Sequence, residues 1–356
     1  FDLETMDWTE VTQEDLILTH TGYDLQPRDP AMVALLERML KEIFPDPEVH
    51  DCYLQVLCNG LTGQTLEKFI IANGGGRNGK GVLNDLVLAM LGNFGYVASC
   101  SLFVDGMKSG ANPEVANMNR KRMVVTREPP ENRAIQFAVV KELTGGSEIN
   151  ARALYSGDTK THIGAVFILE CNKKPRLEGD TGYSMGERVV DVPFVSTYLP
   201  KEKIKDHMKN VYEANPLFKM KTWQEEHKHQ LFYLLLDFMR DRDLHFSKLQ
   251  KLKTGDVVQA RSKEYVMGND DLYPIFQEYY IEKDDGFVRV DDFRDLFTSS
   301  SMFQNLKKSE KREWSKKKVF LEKIKQNTFL HPYFQVEYRP YVDGKQLKKR
   351  NVLVAW

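Results

Sequence analysis

Residues 73–81 read Asn-Gly-Gly-Gly-Arg-Asn-Gly-Lys-Gly, the G-x-x-x-x-G-K frame of a loop that grips a polyphosphate. Gly74, Gly75, Gly76 and Gly79 let main-chain amides around Arg77 and Asn78 converge on phosphate oxygens, and Lys80 supplies a mobile cation. A helix starting at the lysine adds its positive end. One position departs from the pattern: Gly81 stands where a Ser or Thr hydroxyl normally ligates Mg²⁺. A Gly-rich turn before a helix is the plain alternative. Three later side chains fit the same chemistry. Glu128 closes an apolar run, where a carboxylate holds hydrated Mg²⁺ and orients an attacking water, with Glu131 as second choice. Asn172 ends another such run and is placed to hydrogen-bond the water or the terminal phosphate. Arg188 either pairs with Glu128 or Asp191 as a structural ion or reaches the terminal phosphate held by a neighbouring subunit.

These side chains need elements that carry them. The apolar run Phe69–Ala72 predicts a buried strand, and apolar residues at helical spacing over 82–91 predict the helix behind the loop. Short strands are expected at 96–100 and 121–128, and helices at 113–119 and 132–144, the latter stopped by Gly145-Gly146. Residues 149–154 alternate like a strand, 155–162 are turn-rich, and 164–172 return as a buried strand. Together they predict a β-hairpin with Lys160 near its tip, or else an ordinary surface loop. Upstream, Asp29-Pro30 and Asp46-Pro47 are two helix starts. The helices run over 31–44 and 48–59, the second stopping at Gly60. This acidic element is either packing or a multimerisation collar.

Downstream, 203–243 reads helical and serves as a lid, and 251–256 is a linker. Helices near 272–281, 290–296 and 315–326 then precede a hairpin turning at Asp343-Gly344. That is the order of a winged helix. Its recognition helix would carry Lys316, Lys317, Lys318, Lys323 and Lys325, and its wing Lys345, Lys348, Lys349 and Arg350. Lysine-dominated chemistry favours phosphate contact over base readout.

With 356 residues, 42% of them hydrophobic, the chain can bury a sizeable core. No apolar stretch approaches a membrane span. The chain opens at Phe1 without Met, so a longer polypeptide is expected upstream. Four cysteines lack C-x-x-C pairing and read as reduced, buried thiols of an intracellular protein. The net charge of −1 hides a gradient. Residues 1–72 hold 14 acids against 4 bases, while 300–356 hold 14 bases against 5 acids. The basic end points to a nucleic-acid surface or a solvated helical face.

In order and spacing, several pieces resemble the superfamily 3 helicase domain of primase-helicases from large DNA viruses (poxvirus-like and asfarvirus-like) and from phages. They are Leu61-Thr62-Gly63, Asn78-Gly79-Lys80, Lys121-Arg122 with Glu128, and Lys141-Glu142-Leu143-Thr144-Gly145-Gly146. Then come Arg152-Ala153-Leu154-Tyr155, Asn172-Lys173-Lys174-Pro175, and Glu187-Arg188 with Pro193-Phe194. The resemblance spans roughly Tyr53 to Phe194. It implies that Lys80 is the Walker A lysine, Glu128 the Walker B acid that also faces the metal, Asn172 the sensor and Arg188 an arginine finger given across a subunit boundary. It implies that the hairpin, with Arg152, Lys160 and His162, contacts DNA in a ring's central channel. Gly81, and a single acid where some relatives have two, depart from the family.

The reading is an α/β, AAA+-like P-loop ATPase core with an N-terminal helical element and a C-terminal winged-helix-like domain. Its boundaries are 1–64, 65–200, 201–256 and 257–356. It would use ATP and Mg²⁺, form a homo-oligomeric ring, expected to be a hexamer, and translocate on single-stranded or forked DNA in viral replication. A primase domain is expected on the missing N-terminal part, no membrane is expected, and the site of action is the host cytoplasm or a viral replication site. The rivals are a DNA-binding ATPase switch that does not unwind, and a scaffold with a degenerate site.

Overall fold

The computed structural model describes residues 1–356 except 108–111, 147, 152–158, 180–182, 245, 247, 250, 282–285, 340, 343–344, 347–348 and 355–356; at 150, 159, 183, 341, 342, 345, 346 and 350 it describes the backbone alone. The chain divides into two compact units, Phe1–Gly179 with Arg188–Ser262, and Asp180–Glu187 with Lys263–Trp356. Among the described residues no helix is long and apolar enough to cross a membrane.

In the first unit, Asp29 and Asp46 each accept two main-chain amides and a proline follows, starting α1 (Pro30–Ile43) and α2 (Pro47–Thr62). The stop expected at Gly60 moves to Gly63, whose φ of 69° closes α2. Gly60 stays inside the helix, where a Cβ would meet the Met123 side chain at 2.6 Å. β1 (Phe69–Asn73) and α3 (Lys80–Leu91) flank the glycine loop. After them come β2 (Gly95–Ala98), α4 (Ser101–Asp105), α5 (Pro113–Asn117) and β3 (Met123–Arg127). The helix expected over 132–144 shortens to α6 (Phe137–Thr144), because β4 (Ile135–Gln136) before it pairs with a later segment.

β5 (Glu148–Ala151) and β6 (Thr159–His162) form an antiparallel pair of their own. This corrects the predicted hairpin: its return arm is β6, and the buried run after it is β7 (Val166–Cys171), a strand of the central sheet. Lys160 therefore sits within the return arm opposite Asn150, one pair from the turn. Arg152 and the rest of the turn lie outside the described residues. Then follow β8 (Leu177–Glu178), the partner of β4, and β9 (Val189–Pro193); α7 (Tyr183–Arg188) between them belongs, up to Glu187, to the second unit. Most of 203–220 is irregular or extended, with β10 (Thr197–Leu199) pairing β11 (Val211–Glu213), so the long helix is only α8 (Lys221–Asp241). α9 (Asp256–Gly268) leaves the unit.

The central sheet is five-stranded and parallel, in the order β2-β3-β7-β1-β9. A parallel sheet is covered on both faces, which is why β1 reads as a continuous apolar run and β7 and β9 as apolar runs broken only by Glu170 and Asp191. Ile70, Ala72, Ile168, Val190 and Val192 pack with Leu40 of α1, Leu57 of α2, Leu83 and Val87 of α3 and Leu235 of α8. Each fully buried leucine among them contributes about 2 kcal/mol. Cys52, Cys58 and Cys171 are buried free thiols and Cys100 is half-buried and free; burial pushes the Cys52 thiol up to about 12.

The second unit continues with α10 (Tyr273–Tyr279), β12 (Phe287–Arg289), α11 (Val290–Ser299), α12 (Ser301–Asn305), α13 (Lys308–Trp314) and α14 (Lys317–Gln326). After β13 (Phe334–Tyr338), β14 (Tyr341–Val342) and β15 (Lys345–Gln346) comes β16 (Lys349–Val354). Antiparallel pairing gives the sheet order β12-β16-β13. Phe276, Phe293, Phe297, Phe320 and Ile324 form its core. The turn Asp343-Gly344 and Lys348 lie outside the described residues, as does the side chain of Lys345.

Candidate functional site

The glycine loop lies at the carboxyl edge of β1, between the ends of β7 and β9, where strand ends and a helix N-terminus converge. Gly74 cannot carry a side chain: a Cβ would stand 2.2 Å from Asn78 Nδ2 and 2.4 Å from the Phe194 carbonyl. Gly76 (φ 88°) and Gly79 (φ 85°) occupy the left-handed region that glycine tolerates. Asn78 braces the loop, donating from Nδ2 to the Phe194 carbonyl at 3.4 Å and accepting from the Lys80 amide at 3.4 Å.

Lys80 is buried, and its ammonium donates to the Gly74 carbonyl at 3.1 Å and to Asn172 Oδ1 at 2.7 Å. Two residues far apart in the chain and picked out separately thus meet on one edge. An ammonium has three donors, so one is left for a phosphate oxygen. Glu128 follows β3 at that same edge; it is exposed, and its amide donates to the Glu170 carbonyl at 2.9 Å. Its φ of 42° is a strained value for a non-glycine residue, of a kind that gathers at functional sites. Glu131, the second choice, is exposed and paired with Lys173 at 3.1 Å.

Arg188 is not brought to this edge. β9 runs parallel to β1 with Val189 opposite Phe69 and Pro193 opposite Asn73, so Arg188 sits at the amino end, roughly 16 Å of strand from its own loop. It lies 3.5 Å from Glu67 and is mostly buried. Asp191, the alternative structural partner, is fully buried and held by Lys174 at 2.9 Å and Arg261 at 3.2 Å. The β5–β6 hairpin also leads into the amino end of the sheet, since Val166 pairs with Met123. Lys160 is exposed and pairs with Glu148 at 3.0 Å, a surface ion pair worth about 0–1 kcal/mol. His162 is exposed, its amide bonded to Asn119. Lys121 and Arg122 serve the packing of the sheet's amino end. Arg122 donates to the Leu61 carbonyl at 2.6 Å and stacks over Phe94, and Lys121 donates to the Asn93 carbonyl.

Sequence reasoning missed two features. One is an apolar cavity of about 330 Å³ beside the loop, lined by Met39, Ile43, Tyr198 and Phe218 together with Gly79 and Val82. Its parts come from four separate segments, so no local pattern marks it. The Tyr198 hydroxyl is buried without a hydrogen-bond partner. The other is a buried polar string beneath the loop. Tyr53 donates to Asn84 at 2.6 Å, Asn84 donates to Glu170 at 2.7 Å, and Arg127 lies 3.4 Å from Glu170 while bonded to Asp85. Burial raises the Glu170 carboxyl above the ordinary range, against the opposing pull of Asn84, Arg127 and Lys80.

No group of three or more His, Cys, Asp or Glu side chains among the described residues is arranged to hold a metal ion. A cation that arrives with a triphosphate takes most of its ligands from phosphate and water and only one or two from carboxylates. Glu128 and Glu170 are the carboxylates at hand.

In the second unit, Lys317 lies 3.4 Å from Asp291, Lys323 packs over the Trp314 ring and Lys325 pairs with Glu322 at 2.9 Å. Lys316 and Lys318 are exposed and make no ion pair among the described residues.

No family model matches the chain. It is 27% identical over 329 residues, 89% of its length, to a protein of Acanthamoeba polyphaga mimivirus named as a candidate helicase, L207/L206. It is 24% identical over 325 residues, 80% of its length, to candidate helicase 121R of Invertebrate iridescent virus 3. It is 25% identical over 159 residues, 43% of its length, to primase D5 of Fowlpox virus, of which it covers 20%. The chain spans about a third of the length of the first two relatives, 32% and 34%. The fold is shared with the C-terminal region of NrS-1. One solved form matches with a TM-score of 0.54 at 15% identity, another with 0.50 at 14%, each covering 94% of this chain and 78% of the other. The mixed α/β architecture around a parallel sheet is compatible with a P-loop-type NTPase core.

Proposed function

We propose that this chain is the motor of an ATP-dependent DNA helicase of viral DNA replication, of superfamily 3 type and AAA+-like. The observation that carries the reading is the Lys80–Asn172 bond on a glycine loop at the carboxyl edge of a parallel sheet. The relatives' names, candidate helicase and primase, support it. In this reading the triphosphate lies along residues 74–81 with its base in the Tyr198–Phe218 cavity. Lys80 and the loop amides hold the β- and γ-phosphates, Glu128 orients the attacking water and faces the metal, and Asn172 bonds the water or the γ-phosphate. Bound Mg²⁺ would supply charge neutralisation on the phosphate oxygens.

Arg188 acts on a neighbour's site in a ring, taken as a hexamer, because its own loop lies at the other end of the strand. The β5–β6 hairpin, with Arg152, Lys160 and His162, tracks single-stranded DNA. The second unit is read as winged-helix-like, for it has the order helix, strand, helices, strand, strand, and an outer-to-centre pairing of β12 and β13 on β16. Lys316, Lys317, Lys318, Lys345 and Lys348 give it phosphate contacts. The proposed domains are 1–64 (helical, collar), 65–200 (ATPase), 201–256 (lid) and 257–356. A primase partner and action in the host cytoplasm or a viral replication site belong to the same reading.

The test is Lys80→Ala. Losing one preorganised charge worth a few kcal/mol should lower ATP turnover by on the order of 10²-fold or more. Undiminished turnover removes the reading. Strand displacement on a forked substrate separates a helicase from an ATPase switch, which hydrolyses without displacing.

A further inference from the structure

Beside Glu128, β3 carries a base rather than a second acid, and the neighbouring strand brings an acid. At the end of β3 the residue before Glu128 is Arg127, and in the register of β3 on β7 Arg127 stands directly opposite Glu170. Position 81, at the start of α3, faces the same spot. A Cβ built on Gly81 would lie 4.0 Å from Glu170 Oε2 and near no other atom. The two oxygens of Glu170 differ. Oε1 accepts from Asn84 Nδ2 at 2.7 Å. Among the described residues Oε2 has the Arg127 Nε at 3.4 Å but accepts no hydrogen bond, since that N–H is itself without a partner there and the guanidinium is bonded through Nη2 to Asp85. The Glu170 side chain is only 7% exposed, so Oε2 is held by its surroundings and turned toward position 81.

We propose that Glu170 is a second carboxylate, beside Glu128, that holds the hydrated divalent cation of a bound nucleoside triphosphate, in place of the hydroxyl that position 81 lacks. The inference rests on reading residues 74–81 as a triphosphate site. A hard cation takes oxygen donors and keeps several waters when phosphates supply the rest of its shell. Glycine at 81 leaves room for such a water, and Glu170 Oε2 offers it an acceptor. Arg127 does not oppose the arrangement, because Asp85 already balances its charge. Asn84, held in turn by Tyr53, fixes the carboxylate through its other oxygen, as partners behind a metal-facing group do.

The experiment is a binding titration with a fluorescent, non-hydrolysable ATP analogue, in EDTA and across a Mg²⁺ series, on the full chain. Glu170→Gln should bind the analogue in EDTA as the wild type does, while the Mg²⁺ concentration at the midpoint rises about tenfold or more. A midpoint within twofold of wild type overturns the assignment. So does an equal loss in EDTA and in Mg²⁺, which marks a purely structural carboxylate. Where Glu170→Gln does not fold, Gly81→Ser carries the test: a hydroxyl beside Glu170 should lower the midpoint, and an unmoved midpoint overturns the proposal. A wild-type chain that binds no analogue in either arm refutes the triphosphate site itself, a different failure.

Discussion

Gly74→Ala tests the loop at its tightest point. The added methyl carbon would stand 2.2 Å from Asn78 Nδ2 and 2.4 Å from the Phe194 carbonyl oxygen. The first contact belongs to the side chain that braces the Lys80 amide, and the second is main chain at the end of β9. Neither can retreat alone, so the loop must move by about 1 Å, and overpacking of this kind costs about 1–3 kcal/mol. For a unit of this size each kcal/mol lowers the melting temperature by about 2–4 °C, which gives a drop of roughly 2–12 °C. The same shift loosens the hold on Lys80, and each 1.4 kcal/mol lost from phosphate binding is about tenfold in nucleotide affinity. Gly75→Ala is the control, for nothing lies within 4 Å of its would-be Cβ and its φ is not positive. It should melt within about 0.5 kcal/mol of wild type. Thermal denaturation of both variants, with nucleotide titration alongside, decides the matter. Gly74→Ala melting with the wild type, or Gly75→Ala falling as far, would refute this account of the loop.

Rings of Lys80→Ala alone or of Arg188→Ala alone should be nearly inactive, yet co-assembled in equal amounts they should regain roughly a quarter of wild-type turnover, since one neighbour ordering in four pairs two intact residues. No rescue from rings shown by mass analysis to be mixed would sink a shared site. Lys160→Ala should leave ATP turnover within about twofold while strand displacement fails, because a weak surface pair with Glu148 yields readily to a phosphate; displacement at the wild-type rate clears the hairpin of that role. Burial holds the His50 imidazole below its ordinary value despite the upward pull of Asp51. The fold thus favours the neutral ring, and that stability is present above about pH 6.5 and lost as pH falls through the depressed folded value. His50→Gln should flatten the fall in melting temperature between pH 7 and pH 5, and equal falls in both proteins would count against it.

The strand–loop–helix unit was legible because its parts are local: a strand, a glycine run, a lysine and a helix follow each other within one stretch, and each signals by composition or period. The two Asp-Pro helix starts were equally plain, since a cap and its helix share a turn. What escaped was set by pairing. The stop of α2 passed Gly60 because that glycine answers to Met123, a contact from another strand. The return arm of the hairpin was hidden because Thr159–His162 has polar residues that read as turn, while the apolar run beyond it is claimed by the central sheet. The cavity at Tyr198 and Phe218 has no local sign at all.

Glu170 shows most sharply why chemistry at this edge needed the register of the sheet. In sequence it is one acid inside an apolar strand, and Gly81 and Arg127 are two apparent losses in elements far from it. A carboxylate is buried in such a run only at several kcal/mol unless a partner compensates it. Asn84 meets one oxygen, and the Arg127 guanidinium approaches the other without completing a hydrogen bond. A side chain kept solely as half of an ion pair would be expected to close that contact, because an open one leaves the burial cost partly unmet. Here the arginine completes its bond to Asp85. The free oxygen faces Gly81, a position without a side chain at the start of α3, where the proposed site would meet the triphosphate's cation. On the proposed assignment, the glycine at 81 and the glutamate at 170 answer one another rather than standing as independent departures, and substitution at either should be felt at the other.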